Sequence, residues 1–252
     1  MSLSVQGLQK SFNGLRVVDN VSFETDAAGI TGLIGPNGAG KSTLFAVITG
    51  FLGVDAGMIE FGGAGIQNLT PQARARLGLA RTFQVPRPFA HLTVRENLMA
   101  AAPGQPGERV LTLLLRPGAV RRREREVRAQ ADALLDFLGL THVASNRAGT
   151  LSGGQQKLLE LGRALMTAPR YVLLDEPYAG VNPVLIEEIS GRIRTLAERG
   201  TGFLIVEHNL PALSRLAGRL LVMDRGRLIA SGTPQEVLAN RTVQDAYIGG
   251  AA

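Results

Sequence analysis

The sequence predicts an α/β fold, with an antiparallel β subdomain and an inserted α-helical subdomain. Three observations predict it. An apolar strand at 30–34 breaks into a glycine-rich turn and then a helix at about 40–49. Two apolar runs with β character, 171–174 and 203–206, flank a helix near 184–198, which is the spacing of a parallel βαβ unit. From about 93 to 168 apolar residues fall three and four apart, as at Ala133, Leu134, Phe137 and Leu138, which is a helical period.

In chain order, strand-like stretches at about 2–8 and 16–24 make a hairpin-rich edge before the strand at 30–34. A short strand near 57–61 and a helix near 71–77 follow. Within the helical stretch, 103–108 (PGQPGE) reads as a loop and 121–128 (RRREREVR) as a solvated helix start. After 218 come a strand, a turn at Asp224-Arg225-Gly226, a second strand and two short helices. Residues 1–252 are expected to form one domain. Its core and β subdomain take about 1–92 and 169–252, and its helical subdomain about 93–168. There is no internal repeat and no low-complexity linker.

Composition narrows the function. The chain has 252 residues, 45% of them hydrophobic, enough for a sizeable core. Glycine is abundant, 31 residues, where a share of about 7% is usual. The absence of cysteine excludes thiol catalysis, disulfide scaffolds and cysteine-based zinc sites. The net charge is +6, and 24 of the 27 basic residues are arginine. That balance suits nucleic acid, anionic phosphates or the anionic inner face of a membrane, and equally a surface of well-solvated arginines. The N-terminus alternates like a strand and lacks the apolar region of a signal peptide. No apolar run approaches the ~18 residues of a membrane span, so the chain is expected to be soluble by itself.

Gly35-Pro36-Asn37-Gly38-Ala39-Gly40-Lys41-Ser42 matches G-x-x-x-x-G-K-[ST], after an apolar strand and before a helix that continues through Thr43. Glycines let the backbone curl with its N–H groups inward, a nest for phosphate oxygens at a positive helix end. Lys41 can reach the β- and γ-phosphates, and the Ser42 hydroxyl can ligate Mg²⁺. A second strand ends in Leu174-Asp175-Glu176. An acidic pair there is a common helix cap, but here it has a P-loop to serve. Asp175 is expected to hold Mg²⁺, through water or through Ser42, and Glu176 to polarise the attacking water as a general base. Leu151-Ser152-Gly153-Gly154-Gln155, just before a helix, is a second glycine-rich cradle. It makes sense if it serves another nucleotide across an interface.

On these motifs, in this order and spacing, the chain resembles the ATP-binding cassette (ABC) ATPases over roughly residues 3 to 249. The resemblance implies a P-loop NTPase (RecA-like) core and the cofactors ATP and Mg²⁺. It also implies that Ser152, Gly153, Gly154 and Gln155 close on a partner subunit's ATP. Gln84, in Arg81-Thr82-Phe83-Gln84, is similar to the glutamine that senses Mg²⁺ and the lytic water. His208, in Ile205-Val206-Glu207-His208, is similar to the switch histidine on the γ-phosphate, and it ends a βαβ strand, the edge where ligands bind. Phe12, 23 residues before Gly35, stands where the family places an aromatic on adenine; otherwise it is a strand-edge core residue.

Asn182, where most cassettes have aspartate, removes a charge from the segment after Pro177. With the RTFQ run, an insert at about 103–130 and the ending Asp245-Ala246-Tyr247-Ile248-Gly249, it looks like the branched-chain amino-acid uptake ATPases. The lipopolysaccharide-export ATPase is similar in several of these segments. The implied partners are transmembrane permease subunits, a second ABC ATPase subunit, identical or sibling, and an extracytoplasmic binding protein. The implied place is the cytoplasmic face of the inner or plasma membrane, peripherally bound. Soluble ABC proteins of ribosomes or DNA usually carry two cassettes or long coiled-coil insertions; this chain has neither, so no nucleic-acid partner is expected. The segment 109–116 could lie against a permease or the bilayer, or be a core helix of the helical subdomain. Phe89, in Val85-Pro86-Arg87-Pro88-Phe89, could contact a permease or pack under that subdomain.

Overall fold

Asn13 and Gly14 are both left-handed, at φ 49° and 83°, and close a two-residue turn of the kind that matches the twist of a hairpin. They join β1 (Leu3–Phe12) to β2 (Leu15–Thr25). The computed structural model describes residues 1–82, 87–104 and 117–249. After the hairpin come β3 (Gly29–Ile34), helix α1 (Lys41–Ile48), β4 (Ala56–Phe61), β5 (Ala64–Gly65), α2 (Pro71–Arg76) and β6 (Leu79–Arg81). Helices α3 (Val94–Ala101), α4 (Pro117–Phe137) and α5 (Gly153–Leu165) precede β7 (Tyr171–Asp175), α6 (Pro183–Glu198) and β8 (Gly202–Val206). Helix α7 (Leu210–Leu216), strands β9 (Arg219–Asp224) and β10 (Arg227–Gly232), and helices α8 (Pro234–Ala239) and α9 (Arg241–Gly249) follow.

The chain divides into two compact units. One is Met1–Gln84 with Arg170–Ala179 and Ile186–Ala252; the other is Val85–Pro169 with Gly180–Leu185. The first contains both sheets. An antiparallel sheet has the order β2-β1-β4-β5, and a six-stranded sheet the order β10-β9-β3-β8-β7-β6. In the latter β9, β3, β8, β7 and β6 are parallel and only β10 is antiparallel. Every residue of β7 and β8 is buried, as expected of parallel strands covered on both faces. The carboxyl ends of β3, β8 and β7 therefore stand side by side, about 4.8 Å apart. They carry the P-loop, His208 and Glu176, in that order.

A buried arginine ties α1 to this unit. Arg74 of α2 is only 3% exposed. It donates to the Val47 and Ile48 carbonyls at 2.7 and 2.6 Å, and to those of Leu69 and Gln67 at 3.0 and 2.9 Å. Two of these are carbonyls of the last turn of α1, the negative end of its dipole, where a cation is favourable. Burial lowers the Arg74 pKa, so the carbonyls must compensate for lost hydration. Arg74→Met should cost about 3 kcal/mol or more, since the carbonyls lose charged donors and stay buried. A urea midpoint equal to that of the wild type would contradict this.

In the second unit α4 is longer than the helix start expected at 121–128. Its buried stripe is Val127, Ala131 and Leu135, continued by Leu138. Of the four apolar residues that suggested the helix only Leu138 is buried, and Ala133 is exposed, because the core-facing stripe runs one position out of phase with them. The unit also takes in Gly180–Leu185, beyond the stretch expected at 93–168. The 103–108 loop and the 109–116 segment fall mostly outside the described residues. Among the described residues no helix is long and apolar enough to cross a membrane.

Candidate functional site

The P-loop curls between β3 and α1 with Gly38 and Gly40 left-handed, at φ 79° and 96°. At Gly40 a Cβ would stand 2.4 Å from the Val17 carbonyl oxygen, so any side chain there would push β2 off the loop. At Gly38 a Cβ would meet nothing within 4 Å, which leaves the mouth of the nest open. A cavity of about 200 Å³ is lined by Val17, residues 37–43, Glu176 and His208. Gly35 and Pro36 line the adjoining cavity with Asn37, Gly38, Ala39 and His208. Lys41 folds across the loop, its Nζ donating to the Gly35 and Pro36 carbonyls at 2.7 and 2.9 Å. Burial lowers its pKa, while Glu176 and Asp175 pull it back up. Ser42, the first residue after Lys41 in α1, is exposed, and Thr43 is half-buried.

Glu176 sits just past β7 with φ 49°, a left-handed conformation that costs a non-glycine residue of order 1 kcal/mol. Its N–H donates to the Val206 carbonyl at 2.9 Å, and its Oε1 lies 3.1 Å from His208 Nε2. Asp175 is 5% exposed. Among the described residues its carboxylate pairs with Arg81 Nη2 at 2.9 Å and not with Ser42. Arg81 stands on the neighbouring strand, where β6 pairs with β7. Arg81 and Thr82, whose Oγ1 accepts the Asp175 N–H at 3.4 Å, were visible in the RTFQ run but carried no role.

The cavity is one that a phosphate chain and its counter-ion fit. The amino end of a helix, an ammonium, an exposed hydroxyl and a carboxylate all border or neighbour it. Phe12 is not among the lining residues; it is 42% exposed at the end of β1, with Lys10 Nζ 5.7 Å from its ring centroid. Gln84 lies outside the described residues, as do Phe83, Val85 and Pro86.

In the second unit Ser152 caps α5. Its side chain accepts the Gln155 N–H at 3.3 Å while Gln155 Oε1 accepts the Ser152 N–H at 3.0 Å, a capping box. The two glycines differ. A Cβ on Gly153 would meet nothing within 4 Å, whereas on Gly154 it would stand 1.8 Å from Leu185 Cδ2. Gly153 thus belongs to the open helix end and Gly154 to the packing beneath it. Asn182 Oδ1 accepts the Leu185 N–H at 2.9 Å, a cap that aspartate would also supply.

Comparison with known proteins gives the family. The ABC transporter family model matches residues 18–179. A branched-chain amino acid ATP-binding cassette transporter model matches 227–252. The probable branched-chain amino acid transport ATP-binding protein LivG of Archaeoglobus fulgidus is 40% identical over 98% of this chain and 95% of its own length. The lipopolysaccharide export system ATP-binding protein LptB of Haemophilus influenzae is 36% identical over 98% of this chain and 97% of its own. A crystal structure of a nucleotide-free ATP-binding cassette from an ABC transporter superposes with a TM-score of 0.85 at 39% identity, covering 99% of this chain and all of that one.

Proposed function

Since this chain belongs to the ATP-binding subunits of ABC transporters, we propose that it hydrolyses ATP to drive an importer of branched-chain or other hydrophobic amino acids. The observation that carries the catalytic half is the pair Glu176 Oε1 and His208 Nε2, 3.1 Å apart, both lining the P-loop cavity. ATP would supply the transferable phosphoryl group and Mg²⁺ the counter-charge on its phosphates. The backbone N–H groups of Asn37, Gly38, Ala39 and Gly40 bind the phosphates, helped by the first N–H groups of α1 at Ser42 and Thr43, while Gly35 and Pro36, which has no N–H to give, shape the loop. Lys41 exchanges the Gly35 and Pro36 carbonyls for phosphate oxygens. Ser42, Asp175 and Gln84 would hold the ion, with Asp175 giving up its pair with Arg81. Glu176 takes the proton of the attacking water, and His208 Nε2 donates to the γ-phosphate. Phe12 stacks on the adenine. Ser152, Gly153, Gly154 and Gln155 close on the ATP of a second cassette.

Transport needs partners that supply membrane helices, so the chain works at the cytoplasmic face with a permease pair and an extracytoplasmic binding protein. Amino-acid import is favoured over lipopolysaccharide export by the match of residues 227–252 to the branched-chain amino acid model. Co-purification with the native permease, followed by ATPase assays with candidate amino acids, tests it. Stimulation by lipopolysaccharide and by no amino acid would reverse the assignment.

The coupling contact is proposed at Phe89. Its backbone is clamped by the fully buried Asn97: the Phe89 N–H donates to Asn97 Oδ1 at 2.8 Å, and Asn97 Nδ2 donates to the Phe89 carbonyl at 3.0 Å. Phe89 is 54% exposed, with the Arg163 guanidinium 5.3 Å from its ring centroid. A fixed backbone that presents an apolar ring beside arginines suits a permease's cytoplasmic helix. Phe89→Ala combined with Arg87→Glu should leave folding and nucleotide binding intact, yet weaken recovery of the permease complex or uncouple hydrolysis from transport in vesicles. A double variant that melts normally and transports at full rate would place the contact elsewhere.

A further inference from the structure

One buried carboxylate in the first unit has no part in the proposed chemistry. Glu207 is 3% exposed, yet it lies between the residues that flank the cavity. Its Oε1 accepts the Tyr178 N–H at 2.6 Å, two residues after Glu176. Its Oε2 accepts the N–H groups of His208 and Asn209 at 3.0 and 3.3 Å. Each oxygen thus holds a different loop. We infer that Glu207 is a positioning residue: it staples the loop after β7 to the loop after β8 and so sets the approach of Glu176 to His208.

Three features carry this. First, a buried carboxylate is costly unless it is hydrogen-bonded, and here the bonds go to the backbone of the two loops that present Glu176 and His208. Second, Glu176 is held at φ 49°, a conformation that persists only when its surroundings over-determine it. The Tyr178 N–H to Glu207 bond is one restraint. The buried Tyr178 ring is another, its hydroxyl 2.6 Å from Ser190 Oγ. Third, Asn209 also caps α7, its Oδ1 accepting the Ala212 N–H at 3.1 Å, so the β8 loop is pinned from both sides. A glutamine at 207 keeps one carbonyl acceptor and turns an NH₂ group toward the N–H donors of one loop. It therefore releases that loop with almost no change in volume.

The inference rests on the proposed roles of Glu176 and His208, and the test separates the two. In the purified full chain Glu207→Gln should lower kcat about 10- to 100-fold, within the effect of displacing a catalytic group, while the dissociation constant for ATP stays within about twofold. In a Glu176→Gln background the same change should have almost no further effect on residual hydrolysis, because the geometry it protects is already idle. Should Glu207→Gln fail to fold, Glu207→Asp, which keeps both acceptors on a shorter stem, is read by the same criteria. Wild-type kcat in a folded Glu207 variant beside an inactive Glu176→Gln would overturn the positioning role alone. So would an equal loss in the Glu176→Gln background, or a loss carried wholly by ATP affinity. Normal turnover in Glu176→Gln would sink the base assignment, and this inference with it.

Discussion

Glu176→Gln is expected to bind ATP as the wild type does and to lose about 10²- to 10⁴-fold in turnover, the usual loss when a positioned general base is removed. The amide can keep the 3.1 Å contact to His208 Nε2, so the loop should hold its shape while losing the basic oxygen. The left-handed backbone at Glu176 is untouched by the change, which separates this variant from one that collapses the site. Two such subunits should stay closed on unhydrolysed nucleotide, because reopening waits on hydrolysis. Steady-state phosphate release, with ATP binding by calorimetry and dimer content by gel filtration, measures all three. Near-wild-type phosphate release would move the base elsewhere.

The motifs were legible because each sets fixed residue types at fixed spacing. The P-loop, Asp175-Glu176, His208 and the Ser152 to Gln155 cap all lie at strand or helix ends, as expected. Strands β7 and β8 were readable as continuous apolar runs. The first hairpin was under-read: Asn13-Gly14 is a strong two-residue turn signal, and β1 and β2 run right up to it. Helix α7 was missed although Asn209 at its cap and Pro211 in its first turn announced it. What could not be read is burial of polar groups. Arg74, Asn97 and Glu207 have the composition of surface residues, and only the fold takes them out of water. The same holds for Gly153 and Gly154, adjacent and chemically identical, of which one faces open space and the other Leu185. Gly180–Leu185 lies beside β7 in sequence but belongs to the helical unit, a long-range choice that no local pattern records.

That difference between the glycines decides how the two cradles can be told apart. Lys41→Ala removes the ammonium that the P-loop holds 2.7 Å from the Gly35 carbonyl and that is proposed to move onto phosphate. ATP affinity of the isolated chain should fall by ~100-fold or more, the scale of losing a charge-assisted contact in a largely buried site. Gly154→Asp would look like the matching change in the other cradle. Yet its Cβ would meet Leu185 at 1.8 Å, so lost activity there would mix repacking with function. Ser152→Arg and Gly153→Asp are the cleaner pair, since both positions are exposed and the Gly153 Cβ meets no neighbour within 4 Å. Ser152→Arg gives up the hydroxyl of the capping box, which costs about 1 kcal/mol of helix stability; Gly153→Asp leaves that hydroxyl in place. Both should spare ATP binding by the isolated chain and abolish its hydrolysis, because the nucleotide they face would belong to the second cassette. Calorimetry on the single chain and phosphate release from the assembled pair measure the two halves. Equal loss of ATP affinity in Lys41→Ala and Gly153→Asp would mean that the second cradle does not act across an interface.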